Sequence, residues 1–346
     1  MSPELERYSR QVLFPPIGEA GQRRLLQSRV LLCGCGALGS AIADGLVRAG
    51  VGFVRLVDRD FVELSNLQRQ TLFDEQDIAD QIPKAVAAAR KLRRINSSSK
   101  VEPVVADIDH TNILRFAERV DLLVDGLDNF ETRFLINDAS LASGIPWIYG
   151  GCIGSHGQTM TIIPGETACL RCLMESVPPP GTTETCDTAG IIGPAVTVVA
   201  ALQVTSALKL LSGQRANVDP SLMVIDVWDG TLRKMNVAGL RDQSNCAACV
   251  RGERDWLTGQ QRAQTSVLCG RNAVQVSPPQ PITMSLSELA SKLRPLGRVA
   301  TNVFLIRLLP FDADFEMTIF ADGRAIIKGT NDPAVARSIY ARYVGN

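Results

Sequence analysis

The most constraining feature of this chain is residues 29–58, which read as strand, glycine turn, helix and strand. Arg29 to Cys33 is an apolar run, and Gly34-Cys-Gly-Ala-Leu-Gly39 spells G-x-G-x-x-G. Ser40 to Ala49 carries helical periodicity, and the run Phe53–Val57 closes on Asp58, 19 residues after Gly39. Gly34, Gly36 and Gly39 let the backbone approach a phosphate at a helix N-terminus, and an acid at that distance accepts hydrogen bonds from a ribose. Further apolar runs at Lys100–Val105, Asp121–Asp125, Ile145–Tyr149 and Gln158–Ile163 alternate with helical stretches. This pattern predicts an α/β fold with a doubly wound, mostly parallel sheet. The sequence has no G-x-x-x-x-G-K-[ST], so a Walker-type ATPase is not indicated. The motif alone leaves open an NAD-dependent oxidoreductase, or a non-catalytic nucleotide-binding scaffold.

Composition removes other classes. Lys+Arg and Asp+Glu are both 36, so the neutral chain projects no broad field toward nucleic acid or an anionic membrane. The charged start, Met1 to Arg7, lacks the apolar core of a secretory signal. The longest apolar stretch, Ile191 to Leu202, stops after 12 residues, against about 20 for a spanning helix. A cytoplasmic location is therefore expected. With only His110 and His156, a histidine-rich metal site or a Ser-His-Asp hydrolase is nearly excluded.

At 346 residues, about two domains are expected. Residues 177–190, rich in Pro, Gly and Thr, read as a loop, and Pro194–Leu211 as a buried or interface helix. Residues 251–346 hold twelve basic and eight acidic side chains, leaving the first 250 with the opposite excess. The boundary is placed there: 1–250 as the main domain, 251–346 as a small C-terminal α+β domain of unknown role. The tail is expected to carry a helix at Ser285–Arg294, strands near Val303–Leu308, Phe315–Phe320 and Ala325–Ile327, and a closing helix at Pro333–Tyr343.

Asn66, Arg69 and Gln70 follow the second strand, and Lys84 opens a helical run. An amide, a guanidinium and an ammonium near a nucleotide suit a triphosphate better than a dinucleotide, although solvated surface is the commoner fate of such residues. Asp125-Gly-Leu-Asp128-Asn129 ends another predicted parallel strand, where a carboxylate can hold Mg²⁺ against phosphates or simply shape a turn. Cys169-Leu-Arg-Cys172 and Cys246-Ala-Ala-Cys249 form two C-x-x-C pairs with 73 residues between them. Four thiolates in two such knuckles make a closed, structural Zn²⁺ site. Cys186 sits in the loop ahead of a helix, where its thiolate is favoured, or is an unreactive loop cysteine. Cys33, Cys35, Cys152 and Cys269 read as packing residues.

In this ordered combination, over residues 4–250, the chain resembles the ThiF/MoeB/HesA family, the ubiquitin-activating-enzyme-like adenylyltransferases. The matching text is Arg7-Tyr-Ser-Arg10-Gln11, Gly34–Gly39, Asp58, Ser65–Gln70, Pro83-Lys84, Asp125–Asn129 with Arg133, the two cysteine pairs and Thr185–Gly190. It departs at Ala37, where many members have Gly. It departs again at Gln81, where the molybdopterin-type members usually have Gly, and so leans toward the thiazole-biosynthesis branch of the Bacillus type. The resemblance implies ATP as substrate, with Asp58 on its ribose and Asn66, Arg69 and Lys84 on its phosphates. Asp128 would serve Mg²⁺ and adenylation, and Arg10 would reach across a homodimer into the partner's ATP site. The implied reaction is attack of the C-terminal Gly carboxylate of a ubiquitin-like sulfur carrier ending in Gly-Gly on the α-phosphorus. The carrier would serve thiamine or molybdenum-cofactor synthesis. In thiazole-type relatives the cysteine matching Cys186 transfers sulfur or links to the carrier, and a sulfurtransferase donor is a possible further partner. A carboxylate nucleophile needs positioning and charge stabilisation rather than a histidine base.

Overall fold

The computed structural model describes residues 3–177, 189–261, 265–268, 272–278, 284–311 and 313–344. They form two compact units, Met1–Gln261 and Arg262–Asn346. The first continues past Cys249 because Trp256 packs on Phe134, with ring centroids 5.5 Å apart, and donates its backbone N–H to Asp138.

The first unit is built on an eight-stranded sheet. Its strands are β1 (Arg29–Cys33), β2 (Phe53–Val57), β3 (Lys100–Val104), β4 (Leu122–Asp125), β5 (Trp147–Ile153), β6 (His156–Ile162), β7 (Leu222–Asp226) and β8 (Thr231–Met235). The order is β3-β2-β1-β4-β5-β6-β7-β8. The first five in that order run parallel, and β6, β7 and β8 are added antiparallel. Parallel strands covered on both sides must be apolar throughout, as in Val30-Leu-Leu-Cys33. Val30 and Leu32 face a core shared with the Ala37–Arg48, Lys84–Ile95 and Gly193–Leu211 helices. Leu31 and Cys33 face the opposite core, shared with the Phe130–Ser143 helix and the cysteine knuckles.

Several expectations are adjusted. Strand β5 runs on through Gly150 and Gly151 to Ile153, and turns at Gly154, φ +58°, into β6. Strands β7 and β8 were not anticipated. Every residue of β8 is exposed, so it lacks the buried alternation that reveals a strand. The helix expected at Pro194–Leu211 is continuous from Gly193, 19 residues long and apolar enough to span a membrane by composition. Here it lies on β5 and β6 and on the Ala37–Arg48 helix. Gln203, which breaks the apolar run in sequence, is fully buried and donates to Asp125 O at 2.8 Å. Gln81 takes φ +51°, the left-handed region that glycine occupies at no steric cost.

The second unit is an antiparallel sheet of β9 (Thr265–Leu268), β10 (Ala273–Val276), β11 (Gly297–Thr301), β12 (Leu305–Pro310), β13 (Glu316–Phe320) and β14 (Ala325–Lys328), in the order β11-β12-β13-β14-β10-β9. The first three of these were not anticipated, and the strand expected from Val303 begins at Leu305. Helices Leu286–Leu293 and Pro333–Tyr343, capped by Ser285 and Asp332, pack on Val274, Ile306, Leu308, Met317 and Ile327. Cys186 and Cys269 lie outside the described residues.

Candidate active site

The chain leaves β1 for β2 on one side and for β4 on the other, so the sheet's switch point lies between β1 and β4. In register, Cys33 sits beside both Val57 and Asp125, so the glycine turn, Asp58 and Gly126 emerge together. Three glycines nest here. A Cβ on Gly34, at φ +90°, would lie 2.7 Å from Gly126 O, and one on Gly126 would lie 2.7 Å from Gly39 Cα. A Cβ on Gly39 would run into Gly34 O. Gly36 is different: the nearest atom to a Cβ there is Gln70 Nε2, at 3.9 Å. Gly36 is also the N-cap of the Ala37–Arg48 helix, and no side chain caps that end. Its free N–H groups and the helix dipole make an anion seat.

Asp58 braces the turn. Its Oδ2 accepts from Cys35 N–H at 2.6 Å and its Oδ1 from Asp60 N–H at 2.7 Å. Burial pushes its carboxyl up, against the pull of Lys84. Each oxygen keeps a lone pair for a ribose hydroxyl. Lys84, 2% exposed, holds Asp60 Oδ2 at 3.4 Å, and its other protons meet no acceptor among the described residues. Arg59 grips both oxygens of Asp107 at 3.0 Å. Burial opposes its charge, but Asp107, Asp60, Asp128 and Asp58 together hold it above its ordinary range.

Asn66, Arg69 and Gln70 share one tight turn, with Arg69 N–H and Gln70 N–H donating to Asn66 O. Asn66 Oδ1 accepts from Glu63 N–H at 3.2 Å, which leaves its Nδ2 to meet a ligand acceptor. Arg69 uses one nitrogen on Ser65 O, at 2.8 Å. The turn also touches residues 190–192: Gln68 Nε2 donates to Ile191 O at 3.4 Å, and Gly190 and Ile192 pair with Gly154.

The two acids after β4 separate cleanly. Asp125 is fully buried and takes Arg133 Nε at 2.9 Å, Leu127 N–H at 2.8 Å and Gly150 N–H at 3.3 Å. Arg133 also donates to Leu127 O and Gly150 O. Burial works against that guanidinium, yet Asp125, Tyr149 and Asp128 together hold it above its ordinary range. Asp128, three residues on, is exposed and makes no hydrogen bond or ion pair among the described residues. Asp125 is the brace, and Asp128 is the exposed carboxylate, its charge felt by Arg59 and Arg133. In sequence Arg133 is a motif residue without a role, and Arg59 and Asp60 carry no signal at all. Only their long-range partners show what they do.

Arg10 is exposed and is not brought to this site within one chain. Its neighbour Gln11 bonds Ala49 O, past the C-terminal end of the Ala37–Arg48 helix. That helix is 12 residues long, about 18 Å, and the glycine turn is at its other end.

The four paired cysteines do converge, all sulfurs lying within 4.8 Å of one another. The Cys169–Cys246, Cys169–Cys172 and Cys172–Cys249 separations are 3.7, 3.8 and 3.4 Å. A tetrahedron with about 2.3 Å Zn–S bonds has edges of about 3.8 Å, so the set fits Zn²⁺ with no open position. Asn137 Oδ1 accepts Leu170 N–H and ties this knot to the Phe130–Ser143 helix. By contrast, burial pushes the Cys33 and Cys35 thiols far up, as expected of packing residues.

Fold and site together define a nucleotide-binding protein of the doubly wound class. The chain belongs to the ThiF family, whose profile matches residues 8–248. It is 46% identical to the sulfur carrier protein ThiS adenylyltransferase of Bacillus subtilis, over 98% of this chain and 99% of that one. It is 38% identical to the SAMP-activating enzyme E1 of Haloferax volcanii, over 73% of this chain and 91% of that one. The crystal structure of E. coli MccB with ATP superimposes with a TM-score of 0.58 at 24% identity, covering 67% of this chain and 72% of that one, which shows the shared fold. Family membership sets aside the oxidoreductase alternative.

Proposed function

We propose that this chain adenylates the C-terminal glycine of a ubiquitin-like sulfur carrier, releasing pyrophosphate and preparing the carboxyl for thiocarboxylate formation. The observation that carries it is the pairing of an uncapped, side-chain-free helix N-terminus at Gly36 with one exposed carboxylate, Asp128, that makes no hydrogen bond among the described residues, at the same switch point. Donors seat phosphates, and an exposed acid at their edge serves a cation. The end-to-end match to a ThiS adenylyltransferase favours the thiamine branch.

In this reading Asp58 orients the ribose, and Asn66 Nδ2, Arg69 and Lys84 hold the phosphate chain in line with the incoming carboxylate. Asp128 would hold Mg²⁺, which would supply charge neutralisation for the departing pyrophosphate. Arg10 completes the ATP site of a second copy in a homodimer, in keeping with its distance from its own site. Zn²⁺ in the Cys169, Cys172, Cys246 and Cys249 knot is structural. Cys186 acts after adenylation, carrying the acyl group or sulfur delivered by a separate donor.

The test is carrier-dependent ATP–pyrophosphate exchange. Asp128→Ala lowers exchange by orders of magnitude, whereas Cys186→Ser leaves it intact and blocks only thiocarboxylate, read by mass spectrometry of the carrier. The opposite pattern, exchange lost with Cys186→Ser and kept with Asp128→Ala, refutes both assignments.

A further inference from the structure

One buried polar side chain beside the glycine turn has nothing to bind. Gln70 is 3% exposed, its Oε1 has no hydrogen-bond partner, and its Nε2 makes no hydrogen bond among the described residues. Oε1 is an acceptor that no phosphate oxygen can satisfy, so the atom that bears on an anion is the unbonded donor Nε2. Its Nε2 is the nearest atom to a Cβ built on Gly36, so it borders the open side of the uncapped helix N-terminus. The backbone fixes it there: Gln70 N–H donates to Asn66 O at 2.9 Å, and Gln70 O accepts Phe73 N–H at 3.0 Å.

We propose that Gln70 binds the nucleotide's phosphate chain, its Nε2 donating to a phosphate oxygen seated over Gly36. The proposal rests on the adenylation reading above and adds a residue to that site. Phosphate oxygens only accept, and Asp58 Oδ2 already takes Cys35 N–H, removing that donor from the turn. Gln70 replaces the lost donor with a neutral one, beside the cationic Lys84 and Arg69. A donor to a charged acceptor in a dry site contributes about ten- to hundredfold in affinity. The same group lacks a partner when the site is empty, so removing it should not weaken the free protein.

The opposed signs make the test. ATP and adenosine binding are measured by calorimetry on the full chain without carrier, for wild type, Gln70→Met and Gln70→Glu, with melting temperatures of the free proteins. The expected result is ATP binding weakened at least tenfold in Gln70→Met and further in Gln70→Glu, with adenosine binding unchanged within about twofold. Free Gln70→Met melts at or above the wild-type temperature. Equal ATP affinity in all three proteins overturns the proposal, as does an equal loss for adenosine, which would place the contact on the nucleoside. A lower melting temperature for free Gln70→Met also overturns it, by marking a structural amide. Wild type that takes up no ATP overturns the adenylation reading itself, and this proposal with it.

Discussion

Replacing Arg133 by alanine isolates the brace beneath the site. The change strands the Asp125 carboxylate, which is fully buried and then keeps only the Leu127 and Gly150 N–H groups. Breaking a buried pair by removing one partner costs about 3–5 kcal/mol, because a charge is left uncompensated. For a unit the size of Met1–Gln261 each kcal/mol moves the melting temperature by about 2–4 °C, so calorimetry should show a fall of roughly 6–20 °C. The loss depends on pH with a fixed sign. Burial already raises the Asp125 carboxyl, and Arg133, the largest opposing influence, is gone in the variant. A folded-state pKa above the unfolded value favours the folded protein below the unfolded value, and that advantage is lost as pH rises through the folded value. The deficit is therefore greatest at neutral pH and shrinks toward pH 4. Combining Arg133→Met with Asp125→Asn removes both charges and should recover part of the loss. Equal melting of Arg133→Ala and wild type, or a deficit that grows as pH falls, refutes this account.

Two further outcomes are expected. Gly39→Ala should cost about 3 kcal/mol or more or fail to fold, whereas Gly36→Ala should fold normally and lose ATP affinity, read by thermal melts with and without ATP. Cys169→Ser or Cys246→Ser should abolish about one equivalent of bound zinc by elemental analysis and lower the melting temperature, since structural zinc is coupled to folding.

The legible parts of this chain were those where chemistry restricts the choice of residue. A phosphate seat demands glycine at Gly36, parallel strands demand runs such as Val30–Cys33, and a four-thiol knot demands two close cysteine pairs. What stayed hidden depends on distant partners. Nothing near Arg133 in sequence says that it grips the carbonyls of both Leu127 and Gly150. Gln70 reads as one more polar residue until its lack of bonds is seen. Strand β8 is hidden because an edge strand with every side chain in solvent has no apolar rhythm to read, and β7, a short apolar run, has no alternation to mark it as a strand. Gln203 looked like the end of an apolar run, and only its bond to Asp125 O explains a glutamine inside a core helix.

The nesting of Gly34, Gly39 and Gly126 bears on how such a sequence can drift. Positions 34 and 126 are 92 residues apart, yet each occupies space that a single methyl group on the other would take. No one of the three can change first, since its new side chain meets backbone, and backbone cannot be mutated out of the way. Compensation by a second substitution is closed off, because all three are already the smallest residue there is. The three positions are therefore sterically locked to one another. The loop that bears Asp128, two residues beyond Gly126, inherits that immobility relative to the helix it faces.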